Sequence, residues 1–253
     1  GTGQDDAAAR ELATKEYVGE LTGINVKDYG AVGDGATDDT TAFQNAIAAN
    51  RVVHVPGGTY NLAGEIVIPP NCSLVLEQDT VLNFTQTSGN CISMHASASI
   101  IGNHGVIKVL YGFTGKVINI DAGLDESIRA IPPFTAWGPM YVAARYITDL
   151  HIAKLDSGGV AQSEDGTCSG TAVYLRASAD DAMHFMWAID LDRLRIAGAF
   201  TYGIHMDVEQ AADSDAGWIH QARISGFVDA CETGVYCKDA TMSYLSVMVI
   251  PRT

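Results

Sequence analysis

The residues best placed to do chemistry lie in GIHMDVEQ, residues 203–210. In a β-strand, side chains alternate between faces, so His205, Asp207 and Glu209 share one side: an imidazole and two carboxylates in a row. Outward residues two apart on a strand are ~7 Å apart, within the ~6.5–9.5 Å at which two carboxyl groups hydrolyse a glycosidic bond with inversion. Asp207 and Glu209 are therefore the expected catalytic pair. Two similar words flank this one: AVYLRA begins at 172, GIHMDV at 203 and GVYCKD at 234, both steps being 31 residues. Aligned, they place Tyr174, His205 and Tyr236 in one column and Arg176, Asp207 and Lys238 in the next. Rings against the C–H faces of sugars, with charged groups beside them for hydroxyls or carboxylates, make a glycan-binding surface. Tyr174, Arg176, His205, Tyr236 and Lys238 are the expected substrate-binding residues. Arg176 and Lys238 favour the ionised form of Asp207, which leaves proton donation to Glu209. A plain solvent-facing ladder has the same appearance, with Asp207 between two cations contributing only ~0–1 kcal/mol. The acidic pairs Glu164–Asp165, Asp180–Asp181 and Asp213–Asp215 compete as catalysts but read first as turn formers.

Such columns require strands stacked in register, and the chain has the repeats for it. EQDTVLNF (77–84) and GNHGVIKV (102–109) match at an offset of 25, and CISM (91–94) answers VINI (117–120) at 26. A further set, LHIAKL at 150, LRIAGA at 194 and ARISGF at 222, recurs with unequal insertions. Strands that keep their order while loops vary fit a solenoid whose coils stack on one another. In the 31-residue set Val173 and Leu175, Ile204 and Met206, and Val235 and Cys237 point inward as its core.

The stretch Ile24–Ile47, INVKDYGAVGDGATDDTTAFQNAI, reads as a short strand, a glycine turn and a helix. Gly30, Gly33 and Gly35 permit the doubling back. Thr37, Asp38 and Asp39 offer oxygens to the first-turn N–H groups, and Thr41 with Gln44 has capping-box spacing. Phe43, Ala46 and Ile47 form a narrow apolar stripe suited to a lid on something larger. The glycine spacing lacks the Lys-Ser/Thr of a phosphate loop. Asp34, Asp38 and Asp39 could ligate calcium, but helix capping explains them more simply. After it come VVHVPGGTYNL and EIVIPPNCSLVLEQDTVLNF, strands broken by Pro56-Gly57-Gly58 and Pro69-Pro70-Asn71.

From Ile24 to Leu82 these motifs resemble the start of the pectate-lyase-like superfamily, as found in bacteriophage tailspikes and related polysaccharide-degrading enzymes. In that family a DYGAVGDG-like turn, a TDDT-like helix start and a VPxGTY-like strand form the cap and first rung. The resemblance implies an all-β fold, a single-stranded right-handed parallel β-helix over 23–253 with an N-terminal α-helical cap, the cap and first rung being 24–82. It also implies a virion tail protein assembled in the host cytoplasm, its partners being a bacterial surface polysaccharide, further copies in a homotrimer, and other tail proteins met through the N-terminus. Of the polygalacturonase motifs only an Asp-Asp, Asp180-Asp181, is present, and the lyase calcium carboxylates and catalytic arginine have no counterpart by position.

Composition narrows the function further. Fifteen basic against thirty acidic residues give a net charge of −15, which disfavours nucleic acid and anionic membrane surfaces. No stretch approaches the ~18 apolar residues of a membrane span. Cys72, Cys91, Cys168, Cys231 and Cys237 form no C-x-x-C pair, so no metal site or disulfide framework is indicated and no cofactor is expected. Residues 5–22 are rich in helix formers with a sparse seam of Leu12, Val18 and Leu21, so 1–22 reads as a helical arm or short trimeric stem. SYLSVMVIPRT leaves an open strand edge for another segment or subunit to cover. The expected function is a tailspike-like depolymerase, a glycosidase or lyase; the alternative is a non-enzymatic structural or receptor-binding spike segment.

Overall fold

A computed structural model describes residues 24–95, 97–121, 142–160, 167–178, 184–209, 217–220, 222–238 and 242–250. The arm expected over 1–22 and the acidic pairs at 164–165, 180–181 and 213–215 lie outside the described residues. The chain winds coil by coil. β1 (Ile24–Asn25) and β2 (Asp34–Asp38) are followed by the one α-helix among the described residues, α1 (Thr40–Ala49). Complete coils follow: β3 (Val52–Val55), β4 (Gly58–Leu62) and β5 (Ile66–Ile68); β6 (Ser73–Leu76), β7 (Thr80–Phe84) and β8 (Asn90–His95); β9 (Ser99–Ile101), β10 (Val106–Val109) and β11 (Lys116–Asp121); β12 (Val142–Thr148), β13 (His151–Lys154) and β14 (Thr171–Ser178). β15 (His184–Ala197) then turns a corner without breaking before β16 (Tyr202–Glu209). β17 (Gly217–His220), β18 (Ala222–Asp229) and β19 (Thr233–Lys238) precede the final β20 (Met242–Ile250).

All pairings among the described strands are parallel, in one sheet of fourteen strands curled around two sides and a second of six strands, β5, β8, β11, β14, β16 and β19, forming the third. This is the arrangement of a parallel β-helix. The inner face of the six-stranded sheet shows why it holds together. Ile66, Ile92, Ile118, Val173 and Ile204 stack coil on coil, with Ile68, Met94, Ile120, Leu175 and Met206 beside them, all buried. Each contributes about 1.5–3 kcal/mol by leaving water. Val235 and Cys237 continue both columns but are only partly buried. The first corner is turned in successive coils by left-handed residues: Asp79, Asn103, Asp149 and Arg193 all have φ between 44° and 64°.

The offsets of 25, 26 and 31 are observed as pairs Val81–Val106, Ile92–Ile118, Val173–Ile204 and Ile204–Val235. In the third set Ile152 pairs with Ile196, as the words LHIAKL and LRIAGA require. ARISGF, however, lies one face earlier: Ile224 pairs with Leu191, and Ile196 pairs with Val228. The register shifts there because β15 takes one more residue than β18 to round the corner.

The N-terminal stretch differs from expectation in how its polar groups are used. Asp39 occupies the N-cap position of α1 but makes no capping bond. Its carboxylate is 1% exposed and accepts the backbone N–H groups of Val32 (2.6 Å) and Gly33 (3.1 Å), pinning the glycine turn instead. Asp38 takes the Thr40 N–H and hydroxyl, and Asp34 takes those of Thr37 with the Ala36 N–H. Gln44 donates to the Glu65 carbonyl in place of a capping box. The apolar stripe holds: Phe43, Ala46 and Ile47 are buried, and the Phe43 ring meets Tyr60 edge-on at 5.3 Å.

Candidate functional site

The outer face of the six-stranded sheet brings the singled-out residues together. Parallel pairing aligns Tyr174 with His205 and His205 with Tyr236, and it aligns Arg176 with Asp207 and Asp207 with Lys238. Inward aliphatic neighbours fix the strands, and so these outward residues fall into two rows, one of rings and one of charges, two residues apart along each strand.

In the ring row His205 is the centre. Tyr174 and Tyr236 meet it nearly perpendicular, at 5.0 and 4.9 Å between centroids, the edge-on geometry favoured by ring quadrupoles. Tyr202, one residue outside the aligned word, packs on the same imidazole at 4.5 Å and on Tyr236 at 5.5 Å. The Lys116 ammonium sits 3.6 Å from the Tyr174 ring centroid. Tyr174 is 8% exposed whereas Tyr236 is 40% exposed, so the row opens to solvent at its β19 end. Burial lowers the pKa of His205, the Asp207 charge opposes this, and Lys116 and Lys238 add to the lowering, so the ring is neutral at neutral pH.

The charge row is longer than the three residues visible in the repeat. Asp121 pairs in register with Arg176, giving the alternation Asp121, Arg176, Asp207, Lys238 across four coils. Arg176 Nη1 approaches Asp121 Oδ2 at 3.5 Å, and Lys238 Nζ approaches Asp207 Oδ1 at 3.3 Å, an ion pair without good hydrogen-bond alignment. The Tyr174 hydroxyl donates to Asp207 Oδ2 at 3.4 Å. Glu209 is on the same strand two residues on, paired with Ser178. Among the described residues no cluster of His, Cys, Asp or Glu is arranged to hold a metal ion, and all five cysteines are free thiols. Burial pushes Cys72 up to about 11 and Cys231 up to about 12, the behaviour of inert core thiols.

Tyr202, Lys116 and Asp121 were not found from the sequence. Tyr202 adjoins GIHMDV by a single position. KVINID pairs with the 31-residue set across 55 residues, as Ile118 with Val173, a spacing that a fixed period cannot find.

Residues 23–121 match the family model described as rhamnogalacturonase A/epimerase, pectate lyase-like. Among individual proteins, the pre-neck appendage protein of Bacillus phage B103 is 51% identical over 49 residues, 19% of this chain and 6% of that one. The pre-neck appendage protein of Bacillus phage phi29 is 31% identical over 105 residues, 40% of this chain and 12% of that one. The chain thus spans only a small part of the phage proteins it matches. Among solved structures, the A-module of mannuronan C-5 epimerase AlgE4 from Azotobacter vinelandii aligns over 89% of this chain and 74% of that one, at 14% identity and a TM-score of 0.32.

Proposed function

We propose that this chain is part of a phage tail appendage that binds and depolymerises a bacterial surface polysaccharide on the outer face of the six-stranded sheet. The observation that carries this reading is the pairing of a ring row open at Tyr236 with a charge row beside it. Asp207 serves as base and Glu209 as acid; Tyr174, His205 and Tyr236 floor the groove, and Arg176 and Lys238 orient the substrate. In this reading the solenoid is right-handed, α1 closes its N-terminal end, the assembly is a homotrimer, and the N-terminal arm joins other tail proteins. Likeness to phage pre-neck appendage proteins supports the virion setting.

A second reading is favoured by one specific observation. Asp207 is held by Lys238 and the Tyr174 hydroxyl, the arrangement of a ladder carboxylate, and a receptor-binding segment without cleavage needs nothing more. Release of new reducing ends, or absorbance of unsaturated uronate, from a panel of capsules and O-antigens separates the two. On a cleaved substrate Glu209→Gln lowers the rate by roughly 100-fold or more, as loss of a general acid does, with the melting temperature retained. Near-native turnover in Glu209→Gln removes the residue from the mechanism, and binding without cleavage by any glycan favours the second reading.

A further inference from the structure

Lys154, at the end of β13, is 2% exposed in a chain whose net charge is −15. An ammonium so buried is costly unless its protons are taken up, and here four oxygens surround it. Its three N–H groups are shared among the carbonyls of Phe113 (3.0 Å), Ser169 (2.7 Å) and Ala199 (2.9 Å) and Ser169 Oγ (2.8 Å). Phe200 lies beneath it, with 5.5 Å from Nζ to the ring centroid. Burial lowers the Lys154 pKa to about 8, and hydrogen bonds accepted from an ammonium favour its charged form.

The three carbonyls belong to three successive coils. Phe113 precedes β11, Ser169 precedes β14 and Ala199 precedes β16, so each oxygen sits just ahead of a strand of the six-stranded sheet whose outer face carries the rows. The corner is built around this contact. Gly198 has φ +122°, and a Cβ there would come within 2.7 Å of Lys154 Cβ, so glycine makes room for the side chain. Ser169 reinforces the same join, donating from its hydroxyl to the Phe113 carbonyl at 2.9 Å and from its backbone to Ala199 at 3.1 Å.

We propose that Lys154 is a positioning residue for the outer face: an internal cation that pins the starts of β11, β14 and β16 to one another and thereby holds Lys116, Tyr174 and His205 in contact. A ladder of backbone bonds fixes neighbouring strands two at a time, whereas this one group ties three coils across the segment between β13 and β14. The significance for glycan binding rests on the function proposed above, but the pinning itself is tested without any glycan, so the two can fail separately.

The test follows the histidine ring resonances of the full chain by NMR as a function of pH, with His205 assigned by the signal lost in His205→Gln. In the parent protein His205 titrates below its ordinary value. Lys154→Met, which keeps an unbranched side chain, and Lys154→Ala should each raise that midpoint by about half a pH unit or more as burial of the ring and the influence of the Lys116 charge on it relax. Ethylammonium chloride should restore the midpoint and the melting temperature of Lys154→Ala by filling the oxygen cage, while tetramethylammonium chloride, which has no N–H, should not. Ser169→Ala, which removes one cage oxygen and leaves the lysine in place, should move His205 in the same direction by a smaller amount, and it decides the matter if neither Lys154 variant folds. Folded variants in which His205 titrates as in the parent, even at a reduced melting temperature, overturn the proposal and leave Lys154 a stabilising group only. A Lys154→Ala protein rescued equally by both salts overturns it too.

Discussion

The coils from β3 to β10 and those from β12 to β19 are built on the same inner pattern but differ in girth. In the first group strands return quickly: Val53 pairs with Leu74 and Val81 with Val106, steps of 21 and 25 residues. In the second, Ile152 pairs with Ile196 and Val173 with Ile204, steps of 44 and 31. The inner columns pass through this change unaltered, because an inward side chain meets the same aliphatic neighbours whatever length of chain lies outside. The outer faces do change. The compact coils carry short polar ladders, such as Asn83 to Asn61 at 2.7 Å and Ser73 with Ser99 at 2.7 Å. The wide coils carry rings and alternating charges. The family match ends at residue 121, just where the candidate rows begin.

The largest test of that comparison is of the inner columns. Ile92→Ala in the compact half and Ile204→Ala in the wide half should each cost about 2–5 kcal/mol in urea unfolding, since both remove a fully buried aliphatic side chain. A cost below about 1 kcal/mol for Ile204→Ala would mean that the wide coils are not held by the same core. Next comes Asp39, whose carboxylate serves two backbone donors of the glycine turn. Asp39→Ala should cost about 3 kcal/mol, because hydrogen bonds to a charged group contribute roughly 1.5–3 kcal/mol each. Measured against it, Asp34→Ala at the exposed rim of the same turn should cost about 1 kcal/mol or less.

At the junction of the two regions lies His151, in register with Arg195 on β15 and with Lys108 nearby. Burial, with those two cations, lowers its pKa from 6.5 to about 4. The unfolded imidazole takes up a proton near 6.5 and the folded one only near 4, so the unfolded state binds more protons between these values. Stability from this group is full above pH 6.5 and falls as the pH drops towards 4. Denaturant unfolding from pH 7 to 4 should show this slope, and His151→Gln should flatten it. The smallest effect is expected on the outer row: Lys238→Gln should change stability by no more than about 1 kcal/mol, and by less in high salt, because Lys238 is half exposed. A larger loss would make the charge row a structural element and weaken its reading as a binding surface.

The strand words, the turns at Pro56-Gly57-Gly58 and Pro69-Pro70-Asn71, and the offsets of 25, 26 and 31 were legible in the amino-acid sequence. They are legible because alternation is local and each coil repeats one environment for its inward side chains. From them the columns Tyr174–His205–Tyr236 and Arg176–Asp207–Lys238 follow without a structure. The same reasoning misplaced ARISGF, since a matching word carries no information about which corner the chain has rounded. Only the tertiary structure joined Lys116, Asp121 and Tyr202 to the rows, turned Asp39 from a helix cap into the anchor of a loop, and surrounded Lys154 with oxygens 15 to 45 residues away in the chain. Those contacts are made between coils, where distance in space is one strand spacing and distance in sequence is whatever the intervening loop happens to be, so no local pattern records them.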